Sequence, residues 1–85
     1  MSIVLSNLMS YEDIVTGNAT ITFPIKAKTL SIYNKSTGKQ LSIKFNESED
    51  YFILEPTEII EFPKLSIRNL ILNGNSVEYK VIALG

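Results

Sequence analysis

The segment Leu41-Ser42-Ile43-Lys44-Phe45 sets three apolar side chains on one side of an extended backbone and two polar ones on the other. Side chains of a strand alternate faces with a period of two, so this is the pattern of a half-buried antiparallel strand. The same period governs most of the chain. Leu30 and Ile32 share a face in residues 30–34, Ala19, Ile21 and Phe23 in residues 19–23, and Val77, Tyr79, Val81 and Ala83 near the C-terminus. No segment of helix length keeps a period near 3.6.

The breakers between these runs are turn chemistry. Lys35-Ser36-Thr37-Gly38-Lys39 is short, polar and contains glycine, which predicts a hairpin between residues 30–34 and 41–45. Proline has no N–H to give to a ladder and restrains the residue before it. Strands are therefore expected to stop at Pro24, at Glu55-Pro56 and at Pro63. Thr16-Gly17-Asn18 and Asn73-Gly74-Asn75 read as tight turns. Between them the sequence predicts strands at 51–54, 58–62, 65–72 and from 77 to about 84. Residues 2–6 could add another. Residues 7–15 fit neither template, with a fragmentary helical pattern in Leu8, Met9, Tyr11, Ile14 and Val15. Residues 1–15 are read as an N-terminal arm that either adds a strand or reaches a neighbour.

Seven or eight strands at roughly ten-residue spacing predict an all-β fold, a small antiparallel β-sandwich or jelly-roll-like barrel with that arm. The 85 residues allow one domain, spanning 1–85. A chain this short buries only about 60–65 % of the surface its unfolded form exposes. It has no cysteine to staple it and no histidine to hold a metal. Support must come from its own core or from other copies. Charged residues are 20 % of the chain, slightly below the usual ~25 %. That points to some surface meeting protein.

Eight Lys and Arg against nine Asp and Glu leave a net charge of −1 without a basic stripe, so no nucleic-acid partner is expected. No run approaches the ~20 apolar residues of a membrane span, so no membrane partner is expected either. The first residues lack the charged start of a signal peptide. Asn18, Asn34 and Asn46 each begin an Asn-X-Ser/Thr sequon, read as chance without a secretory route.

The absence of His and Cys removes the Ser-His-Asp and Cys-His triads and the zinc and haem sites built on those ligands. The four glycines are isolated and form no phosphate loop. Glu47, Glu49 and Asp50 form an acidic stretch that could be a weak calcium loop. It lacks the glycine and terminal Glu of an EF-hand, so a solvated turn is the better reading. Glu58 and Glu61 fall on opposite faces of their strand and cannot act as a pair. The chain is thus expected not to be an enzyme and to need no cofactor. A sugar platform needs two or three exposed rings on one face. The candidates are Tyr33, Tyr51 and Tyr79, and there is no Trp.

Residues 29–85 resemble small β-sandwich accessory virion proteins of tailed bacteriophages, of the head-decoration or fibre-attachment type. The resemblance is carried by Thr29-Leu-Ser-Ile-Tyr-Asn34 with the turn that follows it, Leu41-Ser-Ile-Lys-Phe45, Phe52-Ile-Leu-Glu-Pro-Thr-Glu58 and Ser66-Ile-Arg-Asn-Leu-Ile-Leu-Asn-Gly74. In it, Leu54 to Glu58 looks like a corner that closes one hairpin and opens the next strand. It implies a non-enzymatic structural protein of the virion, present in the host cytoplasm during assembly. It also implies a homo-oligomer, a trimer or ring, bound to a larger protein such as the major capsid or tail protein. A carbohydrate- or cell-surface-binding module is the alternative.

Two surfaces are expected to make the interface. One is the arm, with Leu5, Leu8 and Tyr11. The other is residues 65–72, apolar on both faces toward their end, with Leu70 and Leu72. Leu70→Asp or Leu72→Asp should break assembly or folding, and one of the two leucines should be buried only in the oligomer. Deleting residues 1–15 should weaken assembly more than monomer folding.

Overall fold

The structure, a computed structural model, describes residues 8–45 and 50–85. They form an all-β, antiparallel, curled sheet of six strands. The strands are β1 (Leu8–Ala27), β2 (Thr29–Asn34), β3 (Leu41–Phe45), β4 (Phe52–Leu54), β5 (Ile59–Phe62) and β6 (Ile67–Leu84). The path across the sheet is β4-β3-β6-β2-β5, and β1 pairs with β6.

Two very long strands organise everything. Twenty residues of straight strand would reach roughly 65 Å, yet the longest dimension of the molecule is 43 Å. β1 and β6 must therefore bend. Along one edge, β6 pairs with β1 from Leu8↔Leu84 to Ala27↔Ile67. On its other edge, residues 79–84 pair with β2 and residues 70–73 with β3. Ala27 thus lies beside Ile67, while Thr29, two residues on, lies beside Leu84. The two ends of β6 are brought together at Lys28. Its N–H donates to Leu84 O at 2.6 Å, and its carbonyl accepts from Leu65 N at 2.8 Å.

The bend sits where two turns were expected. Thr16-Gly17-Asn18 and Asn73-Gly74-Asn75 are not hairpin turns; they face each other in the β1–β6 ladder, Gly17 opposite Gly74 and Asn18 opposite Asn73. Gly17 has φ +80° and Ser76 has φ 56°, both left-handed. The register slips between Val15 and Thr16, leaving Ser76 without an opposite residue. This is a β-bulge, which like a turn recruits Gly and Asn because it needs the same backbone conformations. The outcome is two long strands in place of three short ones and an unassigned stretch, and six strands among the described residues in place of seven or eight.

The bulge also changes which residues face inward. Before it β6 buries Leu70 and Leu72; after it, Val77, Tyr79, Val81 and Ala83. An inserted residue flips the face of everything beyond it. Here the backbone turns at the same point, so both halves still aim at one core. Tyr11 and Phe23, from the two halves of β1, meet edge to face at 5.7 Å across that core. Pro24 does not end β1. It lies in a second irregularity, between Thr22 and Ala27, where proline needs no ladder partner and its carbonyl accepts from Arg68 Nη2 at 2.7 Å.

Residues 8–15 are strand throughout and bury Met9 and Val15. That part of the proposed arm belongs to the sheet, and its removal would strip half of β6 of a partner. Leu5 and the rest of residues 1–7 lie outside the described residues.

Candidate functional site

Side chains of catalytic type are spread out. Among the described residues no three Asp or Glu side chains group together. Glu47 and Glu49 lie outside the described residues, so the acidic stretch is placed only at Asp50. Glu58 precedes β5 and has a local task. The corner Glu55-Pro56-Thr57-Glu58 joins β4 to β5, with Glu55 N donating to Glu58 Oε1 at 2.7 Å and Glu58 N to Glu55 O at 3.1 Å. Thr57 takes φ 66° to make this corner.

The polar group most deeply built into the molecule is Asn34, fully buried at the end of β2. Its Nδ2 donates to Lys39 O at 2.7 Å and to Leu54 O at 3.0 Å, and its Oδ1 accepts from Ser36 N at 3.0 Å. The side chain therefore ties the β2–β3 connection to the end of β4. Burial also closes Asn34 as a sequon acceptor in the folded chain. Sequence reading placed Asn34 only at a strand end; the polar run after it was the available signal that a buried amide would satisfy the turn.

The tyrosines do not converge. Tyr79 is in the core, where burial first and the charge of Asp13 second raise its hydroxyl above the usual tyrosine range. Tyr33 is half-buried on β2. Tyr51 is exposed just before β4, with Lys44 Nζ 4.8 Å from its ring centre. A platform of these three rings is not built. Phe45, Phe52 and Phe62 instead cluster with ring centres 5.0–5.8 Å apart, closing the gap between β3, β4 and β5.

The interface residues separate sharply. Leu70 and Leu72 are both fully buried within one chain, so neither forms a surface between subunits. Residues 65–72 look two-faced because the strand changes phase between Ile67 and Leu70, not because both faces await partners. Tyr11 is half-buried against Phe23. Leu8 alone of the described interface residues is exposed, 47 % of it open.

Leu8 belongs to a larger feature. On the outer face it stands opposite Leu84, with Ile82 two residues along β6; all three are exposed. Leu84, Ile82, Phe62 and Pro63 border a depression of about 380 Å³. Beside this patch runs the outer edge of β1. Among the described residues β1 pairs only with β6, which leaves a 20-residue strand with no partner strand on its other side. Side chains engage the Ile14 N–H (Asp13 Oδ1, 2.8 Å) and the Pro24 carbonyl (Arg68 Nη2, 2.7 Å). Ile14 and Ile25 are exposed along it. Sequence reading missed this surface because the N-terminal pattern did not read as a strand.

Chemically, this is a strand edge without a partner strand among the described residues, flanked by aliphatic side chains, the kind of edge to which another strand can be added. No protein-family model matches this chain, and no curated protein matches it in sequence.

Proposed function

We propose that this chain is a non-enzymatic structural subunit of a tailed-bacteriophage virion, a capsid-decoration or accessory protein. It self-associates and docks on a larger virion protein, such as the major capsid or tail protein. In this reading the two arms of the curled sheet are the layers of a small β-sandwich, and the protein passes from the host cytoplasm into the virion during assembly.

One observation carries the proposal: the long outer edge of β1, unpaired among the described residues and bordered by exposed Leu8, Ile14 and Ile25. Proteins that act alone blunt such edges with short strands, charges or covering loops. The sequence adds its low charge content and its lack of His and Cys.

The purified chain should be an oligomer by light scattering at high concentration, and its gene should stand beside portal, capsid and tail genes. A monodisperse monomer at every concentration would overturn the self-associating part. A gene neighbourhood of metabolic enzymes would overturn the virion assignment.

A further inference from the structure

We propose that two copies of this chain pair through the outer edges of their β1 strands, antiparallel, about a two-fold axis beside Ala19. The inference rests on the self-associating reading above and names its contact. Two identical antiparallel strands can be neighbours in one sheet only if the axis is normal to that sheet. Inner faces then stay on the same side, so each residue meets one of the same facing, and the two numbers add to an even sum.

The buried positions of β1, Met9, Val15, Ile21, Phe23 and Ala27, are all odd-numbered, with Asp13, Gly17 and Ile25 as exposed exceptions. The even-numbered outer face carries one acid, Glu12, and one base, Lys26, both exposed; Glu12 is already ion-paired with Lys35 of its own chain, so Lys26 of the second copy would be a second cation on that carboxylate. An axis at Ala19 sets Glu12 of each copy opposite Lys26 of the other. Ile14 then meets Pro24, Thr16 meets Thr22, and Asn18 meets Thr20. Moving the axis to Asn18 puts Glu12 against Pro24. Moving it to Thr20 puts Lys26 against Ile14 and lets Glu12 find only Lys28, beyond the end of the strand. Opposite charges across a strand pair stabilise and like charges destabilise, so charge favours the Ala19 axis over its neighbours. The ladder would run over residues 16–22, with left-handed Gly17 inside it opposite Ile21 of the other copy. Beyond it β1 leaves its register with β6, and Lys26 reaches by its long side chain. Such a contact is isologous and closes at two copies; any ring would need a second surface, for which the exposed Leu8, Ile82 and Leu84 are candidates.

The natural chain has no cysteine, so single-cysteine variants of the full chain at Thr16, Asn18, Thr20 and Thr22 each take one spin label. Equivalent positions separate by about 7 Å along the strand for each residue of distance from the axis. Labels at Asn18 and Thr20 should couple at short range. Those at Thr16 and Thr22 should sit roughly 20 Å apart along the strand. In parallel, K26E alone, which leaves the Lys35–Glu12 pair within the chain intact, should raise the dimer dissociation constant by about tenfold, and K26Q should raise it less. Oligomers without short-range coupling at Asn18 and Thr20, or with a minimum elsewhere, would overturn this contact while leaving self-association standing. A monomer at all concentrations would overturn both.

Discussion

β1 and β6 have nearly the same length, run side by side and bend at the same point, yet their fates differ. β6 has β1 on one edge and β2 and β3 on the other. Leu70, Leu72, Val77 and Val81 are fully buried along it. Among the described residues β1 has one partner strand, and Leu8, Ile14 and Ile25 stand exposed. Both sequences are rich in aliphatic residues. The number of neighbouring strands, more than the hydrophobicity of the strand itself, decides what is buried. A truncation test should show this most strongly. Leu72→Ala should lower the unfolding free energy by about 2–5 kcal/mol, because it opens a cavity between strands on both sides. Ile14→Ala, on a side chain 55 % exposed, should change it by less than about 0.5 kcal/mol. Urea midpoints for the two variants check the contrast, and equal losses would refute it.

The second edge of β6 depends on β2 and β3 being held in place, and Asn34 is the tie. Asn34→Ala would leave the carbonyls of Lys39 and Leu54 without their donor. The expected loss is on the order of 2–3 kcal/mol, read from the same denaturation curves. Asn34→Asp should be at least as harmful, since a carboxylate cannot donate to either carbonyl. A loss near zero for Asn34→Ala would mean that water replaces the amide.

The two strands also bend by different means. At Gly74 an added Cβ would lie 2.7 Å from Val77 Cγ2 and 3.3 Å from Val15 Cγ1. Val77 is fully buried and β-branched, so it has little room to turn away. At Gly17 nothing lies within 4 Å of the added carbon, and the obstacle is only φ +80°. Gly74→Ala should therefore cost about 1–3 kcal/mol by overpacking. Gly17→Ala should cost about 1 kcal/mol through backbone strain. Gly17→Asn should recover part of that loss, whereas Gly74→Asn should recover nothing. Melting temperatures of the four variants test the assignment.

These bends mark where the sequence could be read and where it could not. Alternation at residues 30–34 and 41–45 located β2 and β3, because each strand is one uninterrupted run between polar segments. The hairpin expected between them does not form: β2 and β3 both pair antiparallel with β6 and follow one another along it, so the polar run 35–39 carries the chain onward instead of reversing it. The corner at Glu55-Pro56-Thr57-Glu58 was legible for the same reason. The Gly17 and Gly74 corners were not, since a bulge and a hairpin turn ask for the same residues. What separates them is whether the chain reverses, and that depends on a partner more than fifty residues away in the ladder. The two phase changes in β6 then made Leu70 and Leu72 look like residues of an exposed second face. Leu8 was legible as an exposed apolar residue, but the edge it belongs to was hidden because Asp13 and Gly17 interrupt the inward positions of β1.

The smallest effect concerns how β1 is held on its outer face. Lys35, just after β2, forms an ion pair with Glu12 of β1 across β6. The hydrogen bond from Lys35, and then its charge, lower the Glu12 carboxyl below the ordinary glutamate range; the hydrogen bond to Glu12 raises Lys35 above the ordinary lysine range. A carboxyl whose pKa falls on folding adds stability above its unfolded pKa, and this is lost as pH falls through the folded value. An amine whose pKa rises on folding adds stability below its unfolded pKa, and this is lost as pH rises through the folded value. The pair's contribution is therefore complete only between the ordinary glutamate and lysine ranges, about pH 5 to 10. Both groups are solvent-exposed, so the effect on stability is slight and the titration itself is the better readout. The Glu12 carboxyl resonance should titrate below the glutamate range in the natural chain and return toward it in Lys35→Met. A Glu12 midpoint unmoved by Lys35→Met would mean that this ion pair does not form in solution and that β1 is held by its ladder and its buried side chains.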